Sequence, residues 1–177
     1  SDYEEIYETK TTPFLVDSDS DRLSDYLEAR VYGTNPNEID TDGDGIIDID
    51  EPTYGTNATK ADTDNDGLSD GYEILIDSNP LDNDTDDDGL SDYLEDALMQ
   101  IYGLNVSARP DTDGDGIINI RDPDSDNDGL DDGNESYCIY PSLPRNAKFW
   151  HGSNPYYNDT DFDGLDDLSE VTIYHTS

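Results

Sequence analysis

Apolar residues are sparse along this chain, and one placement of them repeats. A Leu or Ile directly follows an acidic run closed by Gly at Ile46, Leu68, Leu90, Ile117, Leu130 and Leu165. Leu23 has the same setting behind Arg22. Helical spacing follows: in residues 91–102, Leu94, Leu98 and Ile101 share one face at the 3.6-residue period. Gly103 supplies a C-terminal stop there. Residues 24–32 and 72–76 predict shorter helices of the same kind. Tyr32, Tyr54 and Tyr102 each precede a turn glycine, and this repeated position predicts rings packed on a neighbouring loop. The turns read Gly33-Thr34-Asn35-Pro36, Gly55-Thr56-Asn57, Asp77-Ser78-Asn79-Pro80, Gly103-Leu104-Asn105 and Gly152-Ser153-Asn154-Pro155. The predicted order is therefore loop, short helix, turn, next loop.

The unit behind this order is a twelve-residue cassette, D-x-D-x-D-G-[LI]-x-D-x-x-E. Seven copies begin at Asp17, Asp40, Asp62, Asp84, Asp111, Asp124 and Asp159, at offsets of 23, 22, 22, 27, 13 and 35 residues. Periodicity of this kind is the signature of a repeat array. The 13-residue step leaves no room for a helix, so the fifth and sixth loops should abut.

Composition sharpens the problem of stability. Asp and Glu total 46 against 8 Lys and Arg, giving a net charge of −38, and hydrophobic residues make up 32% of 177. Such a chain buries too little apolar area to offset its conformational entropy and would ordinarily be disordered. Bound multivalent cations can supply the missing free energy. One divalent ion per cassette takes −38 to −24, and two take it to −10. The charge excludes a nucleic-acid partner, which needs a basic patch, and direct adhesion to anionic lipid. No stretch reads as a signal peptide or membrane span. The lone Cys138 allows no internal disulfide.

The cassette chemistry fits Ca²⁺, a hard ion that takes six to eight oxygens. A twelve-residue loop supplies them from positions 1, 3, 5, 9 and 12 and from the backbone carbonyl of position 7, with Gly at position 6 where the chain turns sharply. The side-chain ligands expected are Asp17, Asp19, Asp21, Asp25 and Glu28 in the first cassette, and Asp40, Asp42, Asp44, Asp48 and Glu51 in the second. The third gives Asp62, Asp64, Asp66, Asp70 and Glu73, and the fourth Asp84, Asp86, Asp88, Asp92 and Glu95. The fifth gives Asp111, Asp113, Asp115, Asn119 and Asp122, and the sixth Asp124, Asp126, Asp128, Asp132 and Glu135. The seventh gives Asp159, Asp161, Asp163, Asp167 and Glu170. The carbonyl ligands would be those of Leu23, Ile46, Leu68, Leu90, Ile117, Leu130 and Leu165. Two copies depart. Arg22 stands at the glycine position of the first, which requires a strained backbone or an altered turn. The fifth has Asn119 at position 9 and the shorter Asp122 at position 12. Acidic low complexity alone would scatter charge over exposed faces, whereas these acids hold fixed loop positions.

Cassette plus G-T-N-P turn resembles the thrombospondin type 3 calcium-binding repeat in its microbial surface-protein form, from Asp17 to about Glu170 except residues 136–158. The resemblance implies an irregular, elongated, calcium-stabilised array of EF-hand-like loops with short helices, turns and little hydrophobic core. It also implies that neighbouring cassettes share ligands and hold more than one ion each. The division expected is a partial cassette and linker over 1–16, six repeats over 17–135, an aromatic insertion over 136–158, and the seventh repeat with the start of a linker over 159–177.

The insertion gathers Cys138, Tyr140, Leu143, Arg145, Lys148, Phe149, Trp150 and His151. It reads equally as an interface patch or as a segment folded over the sixth and seventh loops. Cys138 reads as a buried free thiol, and His151 and His175 as structural or solvent-facing. Asn57, Asn83, Asn105, Asn134 and Asn158 each begin an N-x-[ST] sequon, all near turns or loop edges where a glycan could attach. Sequons and loops suited to millimolar calcium favour an extracellular or cell-surface protein. Ser1-Asp2-Tyr3-Glu4-Glu5 matches positions 8–12 of a cassette, and Ile173-Tyr174-His175-Thr176-Ser177 resembles Val31-Tyr32-Gly33-Thr34-Asn35. An excerpt of a longer array is favoured over a protomer that self-associates head to tail into a filament. The function expected is a calcium-stiffened rod, spacer or filament segment of a surface or secreted assembly. The alternative is a calcium-dependent protein-binding module, dockerin-like or adhesive. No Ser-His-Asp set, HExxH or isolated convergent acid pair points to an enzyme.

Overall fold

The computed structural model describes residues 16–136, 153–170 and 172. The insertion residues 137–152, the N-terminal residues 1–15, Cys138, His151 and His175 lie outside the described residues, so the readings made for them concern sequence only. The chain forms two compact units. One runs to Leu75 and takes in Asn79–Asp82; the other comprises Ile76–Ser78 and continues from Asn83. The first holds cassettes one to three and the second cassettes four to seven.

Regular structure among the described residues is short and, apart from one 3₁₀ turn, starts at the end of a loop. Helix α1 (Asp25–Leu27) passes into a π-turn over Glu28–Tyr32, and α2 spans Glu51–Tyr54. Helix α3 spans Asp70–Ile76, α4 Asp92–Ile101, α5 Asp132–Glu135 and α6 Asp167–Ser169. Two 3₁₀ turns cover Val106–Ala108 and Asn119–Arg121. No strand occurs among the described residues. The loop itself explains these starts. Position 9 opens α1, α3, α4, α5, α6 and the second 3₁₀ turn, preceded by an extended residue such as Ser24, Ser91 or Asp166. Ser24 Oγ and Asp166 accept from the backbone N–H groups of Leu27 and Ser169, each satisfying an orphan donor of a first turn. Gly33 and Gly55 end their helices in the left-handed conformation, and Gly103, the predicted stop, is left-handed just beyond α4 at φ +80°.

In the second unit Ile76, Leu90, Leu98 and Met99 are fully buried, with Val106, Ile120, Leu130 and Tyr156 nearly so. Tyr102 meets Tyr156 edge to face at 5.8 Å. The first unit buries Leu23, Ile46 and Leu68. Helix α4 turns a different face inward from the one its apolar spacing predicts. Leu98 is buried, but Ile101 is 62% exposed and Met99 takes the inner position. The inner face also carries Asp92, Glu95 and Asp96, because the loop that launches the helix aims its position-9 and position-12 carboxylates inward. Orientation is set by the acids, and the apolar residues follow. Tyr32 and Tyr54 are likewise more open than predicted, at 46% and 45% exposed. Tyr54 lines a hollow with Gly45, Ile46, Ile47, Asp50, Gly71 and Ile74.

Candidate metal centres

Every cassette is closed by the same hydrogen bonds. The position-9 backbone N–H donates to the carbonyl of the residue just before position 1, as in Asp25 to Val16, Asp92 to Asn83 and Asp132 to Pro123. The position-9 side chain then grips position 2. Thr41 donates its N–H and hydroxyl to the two oxygens of Asp48 at 2.8 and 2.7 Å. Thr63 does the same to Asp70, Thr85 to Asp92, Thr160 to Asp167 and Ser18 to Asp25. In the fifth cassette Asn119 keeps the clamp by accepting from Thr112 N–H and donating its amide to Thr112 Oγ1. In the sixth, Ser125 N–H donates to Asp132. The invariable Ser or Thr at position 2 was a signal available in the sequence, and the expectation of position 9 as a ligand passed over it.

Inside the loop, position 1 accepts from the position-6 N–H, as Asp40 does from Gly45 and Asp124 from Gly129. Position 3 accepts from the N–H of position 5, and position 5 from that of position 7, as Asp64, Asp66 and Leu68 show. Two left-handed residues produce this winding. Position 6 has φ between +86° and +114° throughout, including Arg22 at +86°, so the first cassette keeps its turn at the cost of a strained Arg. Position 4 is also left-handed: Asn65 suits that conformation, whereas Phe162 at φ +60° does not.

These turns bring carboxylates together. Single oxygens of Asp17, Asp19 and Asp21 lie within 4.8 Å of one another, as do those of Asp40, Asp42 and Asp44, of Asp62, Asp64 and Asp66, and of Asp84, Asp86 and Asp88. A second kind of cluster joins cassettes: Asp21 and Glu28 of the first with Asp48 of the second, all buried. Thus position 9 closes its own loop and also faces the preceding one. Neighbouring loops are bound directly as well. The Gly71 N–H donates to Asp44 Oδ2 at 3.1 Å, that of Gly133 to Asp88 Oδ2 at 2.8 Å, and that of Leu168 to Asp128 Oδ2 at 3.0 Å. A Cβ on Gly71 or Gly133 would lie 2.4 Å from the carbonyl oxygen of Asp44 or Asp88. Glycine at position 10 is required there by close backbone approach, a role the sequence reading did not assign.

The donor set fits a calcium ion. Both oxygens of Glu28 and of Glu95 are buried without a hydrogen-bond partner, as are Glu51 Oε1 and one oxygen each of Asp19, Asp64, Asp86 and Asp126. An unpaired buried carboxylate is costly, and an oxygen-seeking cation is what removes the cost. The same crowding raises proton affinity. Burial first, then Asp19 and Asp21, push Glu28 up to about 8. Burial and the Asp126 charge push Glu135 up to about 10, and burial holds Asp132 at about 9. Glu95 is raised well above the usual range by burial, with Asp86, Asp88, Asp92 and Asp132 adding to it.

The family model of the bacterial TSP3 repeat, the thrombospondin type 3 repeat, matches residues 17–38, 40–61, 62–83 and 84–98. Over those residues the chain is similar to TSP3 repeats. TSP3 repeats bind calcium, are typical of extracellular proteins, and form a structural rather than an enzyme family. A search of curated proteins finds no match. The matched repeats coincide with the first four cassettes, and the hydrogen-bond pattern described above continues through the remaining three. In the fifth and seventh the loops lie more open: Ile117 is 44% exposed, and Asp115 and Asp163 are exposed. Asp122 is buried, accepts from the Asp124 N–H, and is raised to about 6 by burial. Ser125 bonds the carbonyls of Asn119 and Asp122, so the fifth and sixth loops do abut. Of the sequon residues, Asn57, Asn83, Asn105 and Asn158 are exposed and Asn134 is half-buried. No described helix is long and apolar enough to cross a membrane.

Proposed function

We propose that this chain is an extracellular structural segment, a rod or spacer whose loops are cross-linked by calcium, and that its role is mechanical rather than catalytic. The observation that carries this reading is the set of buried carboxylate oxygens without partners, led by Glu28 and Glu95. These face Asp clusters drawn from adjacent cassettes, not a cleft. Positions 1, 3, 5 and 12 hold the ions, with the position-7 carbonyl completing each loop. Position 9 closes its own loop and contributes across the junction to the cassette before it. Calcium bound there neutralises mutually repelling carboxylates and ties successive loops together. The exposed sequon residues belong to the same reading, as attachment points on an outward-facing surface.

Small-angle scattering and thermal unfolding, each in millimolar calcium and after chelation, test the proposal. A stiff particle with a cooperative transition, lost on chelation, is the expected result. A shape and melting temperature indifferent to chelation would refute it.

A further inference from the structure

In the first unit docking follows chain order: the first cassette meets Asp48 of the second, and Asp44 of the second meets Gly71 of the third. The second unit breaks that order. Asp88 of the fourth cassette receives its inter-cassette hydrogen bond from Gly133 of the sixth, 45 residues away. The sixth then docks on the seventh through the Leu168 N–H and Asp128. The fifth cassette is stepped over.

Its sequence accounts for this. A docking cassette offers a carboxylate at position 9, as Asp48, Asp132 and Asp167 do. Beside Asp132 the approach is so close that a Cβ on Gly133 would sit 2.4 Å from the Asp88 carbonyl oxygen. The fifth cassette has Asn119 at position 9 instead. Asn119 is neutral, and its amide group is already committed to Thr112. It brings no negative charge to a neighbouring cation. Meanwhile Glu95 of the fourth cassette is fully buried with both oxygens unpartnered, and it feels the charges of Asp86, Asp88 and Asp132. This is the counterpart of the Asp21, Glu28 and Asp48 cluster in the first unit.

Resting on the calcium reading above, we infer that Asp132 of the sixth cassette completes the cation site of the fourth, with Asp88 and Glu95, and that the bypassed fifth cassette holds its ion alone. The fourth and sixth loops then load as one coupled site. The fifth loads separately and more weakly, with exposed Asp111 and Asp115 and the short Asp122 as its donors.

Hydrogen exchange of the full chain across a calcium titration tests this, read loop by loop. In the unmodified chain, residues 84–95 and 124–135 should gain protection together, and 111–122 only at higher calcium. Asp132→Asn keeps the shape and the acceptor for Ser125, as Asn119 does for Thr112. It should raise the calcium needed to protect 84–95 by at least about tenfold, the usual effect of losing a supporting metal-site group, while leaving 111–122 unchanged. Gly133→Ala, which parts the two loops without removing a carboxylate, should act on 84–95 in the same direction. Asp115→Asn should affect 111–122 alone. If Asp132→Asn and Gly133→Ala leave 84–95 untouched, or if 111–122 loads in step with 84–95, the bridge is refuted while the calcium reading stands. If calcium protects none of the loops, the calcium reading itself fails.

Discussion

Replacing Gly71 by Ala sets two effects of known sign against each other. Gly71 lies in the first turn of α3 with a backbone that any residue can adopt, so helix propensity alone favours Ala by up to about 1 kcal/mol. Docking opposes it. The added Cβ would stand 2.4 Å from the Asp44 carbonyl oxygen and 3.1 Å from its carbon, both backbone atoms with no side-chain freedom to yield. Relief requires the second and third cassettes to part by several tenths of an ångström or more. The 3.1 Å hydrogen bond from the Gly71 N–H to the Asp44 carboxylate is then stretched or lost. A hydrogen bond to a charged acceptor is worth about 1.5–3 kcal/mol. The net expectation is a loss of about 1–2 kcal/mol in calcium-saturated protein, measured by urea unfolding with the m-value unchanged. Gly43→Ala is the comparison: no atom lies within 4 Å of its Cβ, and only the left-handed φ of +80° opposes the change, at about 1 kcal/mol. A Gly71→Ala protein as stable as the parent, or more stable, would show that propensity decides and that the close approach to Asp44 is not energetically significant.

Thr63→Val removes the hydroxyl bonded to Asp70 Oδ2 at 2.6 Å while keeping shape; a loss of about 1–2 kcal/mol is expected in the same assay, with Thr63→Ser close to the parent. Arg22→Gly releases the positive φ of +86° in the first cassette and should stabilise the calcium-bound protein by about 1 kcal/mol, read as a higher melting temperature. For the chelated protein the carboxyls of Glu51, Glu28 and Glu135 are raised to about 7, 8 and 10 in the folded state. Raised values mean that the folded state binds protons the unfolded state has released, so their stabilising effect is complete below pH about 4.5 and is lost as pH rises through 7 to 10. Melting in chelator should therefore move upward on acidification from pH 9 to 6, while calcium affinity, which competes with those protons, moves downward; a chelated protein whose melting rises with pH over that range would contradict the buried placement of these acids.

Much of the local structure was legible in the sequence because it is encoded locally. The seven loop starts, the turn at position 6, the stop at Gly103, and the abutting fifth and sixth loops all follow from spacings within a few residues. The convergence of positions 1, 3 and 5 follows in the same way. What escaped depends on residues far apart. Asp44 and Gly71 are 27 residues apart and Asp88 and Gly133 are 45 apart, and no short-range periodicity pairs them. The inward face of α4 escaped for another reason: apolar spacing assumes that hydrophobic burial orients a helix, whereas here Asp92 and Glu95 do. The position-2 hydroxyls were visible in every cassette but lacked an evident partner until Asp48 and its counterparts closed over them. The left-handed position 4 was hidden by its mixed occupants, among them Ser20, Asn65 and Phe162.

Docking through one amide and one carboxylate places no demand on the chain between partners. The second and third cassettes start 22 residues apart, the fourth and sixth 40 apart, and the sixth and seventh 35 apart, yet the same position-10 amide reaches the same position-5 carboxylate in each pair. An array assembled this way can accept a surplus loop or a foreign segment at any turn without losing register. Its evolution is then free to proceed by insertion, with new surface chemistry grafted between junctions whose geometry is already settled.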